Sequence, residues 1–205
     1  MEKLHNRDHV MVDLETLSVQ DNPVVLSISA VKFDIGVINH FNDFIKPNCD
    51  NHTNHLNSFH VAIDIDDQIK NGLSINSDTI KFHLEHNRTF FEQCIGMDED
   101  KIKILSVQHA LEFFSNFITS ISNNNKYYQQ PIVWANGAVA DHKWLSSLYN
   151  AYGLKYPVYY NNQFCYRTIL SLCPEFKNYS NNHDSFDDCV NQIIALQNAY
   201  KRLGF

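Results

Sequence analysis

The first third of the chain carries its apolar residues in short blocks, and the rest carries them at helical spacing. Blocks at His9 to Leu14, Val24 to Phe33 and Val37 to Ile45 predict three adjacent strands. Asp34-Ile35-Gly36 predicts a hairpin turn between the last two. From about residue 48 to residue 77 the chain is rich in Asn, Asp and His, which predicts an excursion over the surface with a weak helical stretch near Ile63 to Ile69. A helix is expected from Ser77, with Ile80, Leu84, Phe90 and Phe91 turned inward. Another is expected from Ser106, where Ala110, Leu111, Phe114, Phe117, Ile118 and Ile121 recur at helical spacing as far as the break at Asn123-Asn124-Asn125.

The short apolar run Pro131 to Ala135 predicts a buried strand, and Asn136-Gly137-Ala138 leads into a helix carrying Trp144, Leu145 and Leu148. Two more helices are expected near Phe164 to Leu172 and Ser185 to Leu203. A hairpin-containing sheet, then helices with one returning strand, implies an α/β fold: a mixed β-sheet with an antiparallel hairpin, flanked by helices. No repeat or interdomain linker is visible, so a single domain over residues 1–205 is expected.

Composition narrows this little. The chain is 44% hydrophobic and 19% charged, as ordinary globular proteins are. No apolar run is long enough to span a membrane, and the first residues lack the apolar core of a signal peptide, so a cytoplasmic location is expected, a host's cytoplasm for a phage-encoded chain. Cys49, Cys94, Cys165, Cys173 and Cys189 are scattered without a CxxC pair, which predicts reduced thiols and no thiolate zinc site. A net charge of −7 argues against a protein that coats duplex DNA. It leaves room for a nucleic-acid enzyme, where metal ions and a few local cations meet the phosphate. Of the eleven histidines, His52, His55, His60 and His86 read as solvated loop residues.

Three acidic positions change the picture. Asp13 and Glu15 stand two apart at the end of the first apolar block, so in a strand they share a face and repel each other unless a cation intervenes. That is half of a site for a hard divalent ion, although two exposed acids at a strand end would look the same. Asp141, Trp144, Leu145 and Leu148 fall at i, i+3, i+4 and i+7, which puts Asp141 on the inward stripe of its helix. An acid there also suits the helix dipole without further purpose. Third comes His183-Asp184-Ser185-Phe186-Asp187-Asp188, opening the last helix, where Ser185 and Asp188 have the spacing of a capping box. His183 and Asp188 converge only if His183 lies on the loop before that helix.

In order and spacing, Asp13-x-Glu15, Asn136-Gly137-x-x-x-Asp141 and His183-x4-Asp188 resemble the three motifs of the DEDD 3′→5′ exonucleases, in the DEDDh subgroup whose third motif carries histidine. The resemblance covers about residues 8 to 200 and implies a stand-alone exonuclease with a ribonuclease H-like fold. Asp78-Thr79-Ile80-Lys81-Phe82-His83-Leu84 is similar to a Thr-x-x-Trp-Trp stretch, and Tyr166-Arg167-Thr168 to the end of an Arg-Asp-x-Arg-Thr stretch. Both point to the branch of phage exonuclease A-like enzymes and bacterial 3′→5′ exoribonucleases. The chain departs from that branch where Phe82-His83 replaces the tryptophans, where Gln163 to Cys165 lacks the first Arg-Asp, and where Ala140 stands at a position often held by Phe.

The resemblance implies two divalent cations, Mg²⁺ or Mn²⁺. Asp13 would bridge them, Glu15 and Asp188 would complete the first site, and Asp141 would hold the second. His183 would take a proton from the attacking water, and nucleoside 5′-monophosphates would leave the 3′ end of single-stranded DNA or RNA. Arg167 and Lys143 are candidates for phosphate contact, and Phe82 and Trp134 for stacking on terminal bases, although Trp134, in an expected buried strand, reads more readily as core and Lys143 as a solvated helix residue. Rival readings are an oligoribonuclease-like enzyme for very short RNA and a catalytically silent nucleic-acid-binding or inhibitory protein on the same fold. A homodimer fits the branch. No motif spells out the contacts that would distinguish the two sugars.

Overall fold

The structure is a computed structural model, and it describes residues 6–47, 57–98, 102–121, 130–137, 139–177 and 184–204. His183, Cys49, His52, His55 and Asn123-Asn124-Asn125 lie outside the described residues. Among the described residues, six strands form one mixed sheet: β1 (His9–Thr16), β2 (Val25–Phe33), β3 (Ser58–Ile63), β4 (Ile104–Leu105), β5 (Ile132–Ala135) and β6 (Gln163–Cys165), in the order β4-β3-β2-β1-β5-β6. β1 pairs antiparallel with β2 and parallel with β5, so the strand that carries Asp13 and Glu15 runs through the middle of the sheet. β2 and β3 are antiparallel, whereas β3–β4 and β5–β6 are parallel. The α/β class and the helix-flanked mixed sheet agree with the sequence reading.

Alternation along β1 divides its side chains between two cores. Val10, Val12 and Leu14 pack on one face, against α3 (Arg88–Cys94), α4 (Val107–Ser120) and α5 (Asp141–Ala151). Met11 packs on the other, against α7 (Ser185–Arg202) through Phe186, Cys189, Val190 and Ile193. Asp13 and Glu15 continue the period of Met11, so they emerge on the face that α7 covers. The remaining helices are α1 (Ile65–Lys70), α2 (Ser77–His86) and α6 (Tyr166–Leu170).

Several expectations are corrected. The segment from Val37 to Ile45 is no strand: Val37, Ile38, Phe41 and Ile45 are exposed, with a short 3₁₀ turn at Phe41–Asp43. The turn at Asp34 forms, with the Gly36 amide donating to the Asp34 carboxylate at 2.8 Å, but β2 is already paired on both edges and offers the returning chain no ladder. The third strand is instead β3, inside the stretch expected to wander over the surface. Its Phe59, Val61 and Ile63 alternate into the core, an alternation hidden by polar neighbours on either side. On α2, Ile80 packs against the core as expected, but the buried residue is His83, and Leu84 is 44% exposed. A three-residue strand, β6, precedes the helix expected near Phe164. Cys94, Cys173 and Cys189 are buried free thiols.

His60 is the clearest correction to the reading of surface histidines. It is buried on β3, with Nδ1 2.7 Å from the Ser29 hydroxyl, and its ring stacks on Phe90. Burial pushes its pKa down from 6.5 to about 4, so the folded protein keeps it neutral while the unfolded chain protonates it first. Its contribution is unaffected above pH 6.5 and is lost as the pH falls from there toward about 4, where the unfolded state binds the extra proton. Between pH 7.5 and pH 5.0 the wild type should therefore lose about 2 kcal/mol more unfolding free energy than His60→Gln does. Urea titrations of both proteins at the two pH values check this, and parallel losses would mean that His60 is not held neutral.

Candidate active site

Each acidic residue reaches the site by a local rule of its element. β1 and β5 are in register with Met11 opposite Trp134 and Val12 opposite Ala135, so Asp13 lies just past the end of the β5 ladder. The chain leaves β5 there, turns through Asn136-Gly137, and begins α5 with Asp141 as its first residue. Asp141 and Gly137 close the turn reciprocally: the Asp141 amide donates to the Gly137 carbonyl at 3.0 Å, and the Gly137 amide donates to Asp141 Oδ2 at 3.0 Å. Asp188 sits in the first turn of α7, where a negative charge suits the helix dipole.

That first turn is capped otherwise than the sequence suggests. Asp184, not Ser185, is the N-cap, and its carboxylate accepts from the amides of Phe186 and Asp187. Ser185 is fully buried against β2 and shares hydrogen bonds with the hydroxyls of Ser29 at 2.7 Å and Ser27 at 3.0 Å. Those three hydroxyls satisfy one another beneath the sheet, which frees the more strongly accepting carboxylate to cap. Asp184 also forms an ion pair with Lys46.

The result is convergence. Oxygens of Asp13, Glu15 and Asp188 all lie within 4.8 Å of one another. Asp13 is only 7% exposed, so these are not the solvated acids of a strand end. Burial first, then the charges of Asp141, Asp188 and Glu15, push the Asp13 carboxyl well above the usual range, against one lowering contact from Gln192. Glu15 is raised well above its usual range by burial and by Asp188, Asp184 and Asp141. Burial raises Asp141 to about 6, opposed by the Gly137 amide, its own amide and the Arg167 guanidinium. Four carboxylates are thus held together at an electrostatic cost that the described protein groups offset only in part. The donor set is all hard oxygen, which fits Mg²⁺ or Mn²⁺ and suits neither a thiolate nor an imidazole site.

The other predicted residues divide. Arg167, on α6, is exposed and close enough for its charge to act on Asp141. Phe82 is 39% exposed and, with Leu14, Glu15, Thr16, Val19 and Thr79, lines a cavity of about 410 Å³ that opens beside Glu15. Lys143 is drawn away from the carboxylates into a 2.6 Å ion pair with Asp21. Trp134 is buried with its indole N–H donating to His9 Nδ1 at 2.9 Å, so it is core and offers no face to a base.

Two residues went unread in the sequence. Gln192 donates from Nε2 to Asp13 Oδ1 at 2.8 Å, and its position four residues after Asp188 on the same helix face is the signal that could have found it. His83 has Nε2 at 2.9 Å from the Thr16 carbonyl and Nδ1 at 4.0 Å from Glu15 Oε2, tying α2 to the end of β1. Because a carbonyl only accepts, the His83 Nε2 carries the proton of that bond.

Residues 8–201 match the family model of the Rv2179c-like 3′-5′ exoribonuclease domain. The chain belongs to that family. The family's description is that of a 3′-5′ exoribonuclease domain. Among solved structures it is similar to one described as cell-death related nuclease 4 (CRN-4), with a TM-score of 0.59 and 13% sequence identity. That match covers 98% of this chain and 66% of the nuclease chain, so this chain spans just under two thirds of its length, and the likeness shows the ribonuclease H-like nuclease fold. No curated protein sequence gives a match.

Proposed function

We propose that the chain removes nucleotides one at a time from the 3′ end of single-stranded nucleic acid, RNA in preference to DNA, by metal-dependent hydrolysis. The observation that carries this reading is the convergence of Asp13, Glu15 and Asp188 beside Asp141 at the ends of two parallel strands. Asp13, Glu15 and Asp188 would hold one divalent ion, and Asp13 with Asp141 a second. When bound, such ions neutralise phosphate charge and stabilise the attacking and leaving oxygens of an in-line displacement.

The chain's own residues do the rest. The cavity beside Glu15 suits the terminal nucleoside, with Phe82 as an apolar wall of the kind on which a base stacks. Arg167 offers a guanidinium to the phosphate next to the carboxylates, whereas Lys143 would first have to leave Asp21. His183 directly precedes the cap residue Asp184 and is proposed to accept the proton of the attacking water, a task for which an ordinary imidazole pKa is suited. The family description favours RNA.

The test uses single-stranded RNA and DNA of one sequence, each labelled at the 5′ or the 3′ end, with Mn²⁺ or Mg²⁺. A 3′ label should appear at once as a mononucleotide, a 5′ label should shorten in single steps, and His183→Ala should slow both by about 10²-fold or more. Internal cuts, or no turnover of any substrate with either ion, would sink the proposal. Activity confined to RNA of a few nucleotides would narrow it to an oligoribonuclease.

A further inference from the structure

We infer that Gln192 is a positioning residue of the metal site, setting how tightly the carboxylates hold a divalent ion; this rests on the metal-dependent reading above. Gln192 follows Asp188 by four residues on α7, so the two side chains stand one above the other and face β1 together. Its residue is 8% exposed, and its Nε2 donates to Asp13 Oδ1 at 2.8 Å across the interface of helix and sheet. The amide's orientation suits a metal ligand, since Asp13 must be ionised to hold a cation and an ionised carboxylate only accepts, so nitrogen faces it.

That bond occupies one carboxylate oxygen and holds the other in a fixed place. Asp13 is one of the three acids whose oxygens lie within 4.8 Å of one another, so its orientation helps to set the donor geometry. Side chains that hold a ligand by hydrogen bonding commonly set metal affinity by 10- to 100-fold. The other end of the amide points the same way. Gln192 Oε1 is buried and accepts from no group among the described residues, an arrangement that folding alone does not favour. A hydrated Mg²⁺ or Mn²⁺ keeps several of its waters, and a carbonyl oxygen beside Asp13 is a suitable acceptor for one of them.

A purely structural Gln192, tying α7 to β1, predicts something different, and the two are separable. Mn²⁺ alone is titrated by calorimetry into the wild type, Gln192→Met and Gln192→Asn, and each metal-free protein is melted by circular dichroism. Methionine keeps the length and removes both the hydrogen bond to Asp13 and the carbonyl oxygen, whereas asparagine keeps the amide but is one methylene too short to reach Asp13. Mn²⁺ should bind both variants about 10- to 100-fold more weakly than the wild type. The Mn²⁺ concentration for half-maximal cleavage should rise in step, with turnover recovering at saturating Mn²⁺. A lower melting temperature with an unchanged Mn²⁺ dissociation constant would overturn the inference, as would unchanged values of both. If methionine prevents folding, the asparagine variant decides alone. Failure of the wild type itself to bind Mn²⁺ would instead overturn the metal-dependent reading, and this inference with it.

Discussion

Asp13→Asn should abolish cleavage and make the metal-free protein harder to unfold. The two effects share one cause. Asp13 is buried, surrounded by Asp141, Asp188 and Glu15, and carries a carboxyl raised well above its usual range, so its charged form is a liability to the fold. Asparagine has the same shape and still offers Oδ1 to the Gln192 amide, so packing and that hydrogen bond survive. Removing the charge should add about 1–2 kcal/mol to the metal-free protein, or about 2–8 °C in melting temperature for a chain of this size. Loss of a carboxylate that would hold the ions facing the phosphate should cost on the order of 10³-fold or more in turnover.

The sign with pH follows. A raised carboxyl pKa means that the folded protein binds the proton more readily than the unfolded chain does, so the penalty exists above the folded-state pKa and disappears as the pH falls through it. The stability gap between Asp13→Asn and the wild type should therefore be widest at neutral and alkaline pH and close under acidic conditions. Melting curves over that range, beside a 3′-end cleavage assay, measure both halves. A variant less stable than the wild type at neutral pH would mean that the acid is structural, and full activity would remove it from the site.

The acidic positions were legible because each obeyed a local period. Asp13 and Glu15 share a strand face, Asp141 lies on an inward helical stripe, and Asp188 opens a helix; what periodicity could not supply was that β5 lies parallel to β1 and brings the first two elements together. Strand order is a tertiary fact, set by which apolar faces bury one another. The same limit explains the errors. Val37 to Ile45 has strand composition but leaves Val37, Ile38, Phe41 and Ile45 exposed, whereas Ser58-Phe59-His60-Val61-Ala62-Ile63 takes the second edge of β2 because its Phe59, Val61 and Ile63 fill the core. His60 and Ser185 read as surface and cap residues because nothing local announces that Ser27 and Ser29 wait beneath them. Trp134 could be read either as core or as a base-stacking face, and only the neighbouring His9 decides it.

Mn²⁺ or Mg²⁺ should raise the melting temperature of the wild type, and chelator should return it. The expected size follows from linkage: an ion at 100 times its dissociation constant stabilises the folded state by about 2.7 kcal/mol per site, or about 5–10 °C here. The electrostatics say why so large a share of that energy should reach stability. The metal-free fold carries four carboxylates of which burial raises Asp13, Glu15 and Asp141 above their usual range, with repulsion from neighbouring acids adding to the rise at Asp13 and Glu15, and a divalent cation would favour the ionised form of each. Ligands must be ionised to bind it, so uptake should release protons, and the thermal shift should shrink as the pH falls toward the raised carboxyl pKa values. Asp13→Asn removes the central donor and should melt at nearly the same temperature with and without Mn²⁺. A shift that survives in Asp13→Asn at full size would place the stabilising ion elsewhere on the protein, and no shift in the wild type would leave the four acids without the cation that their burial calls for.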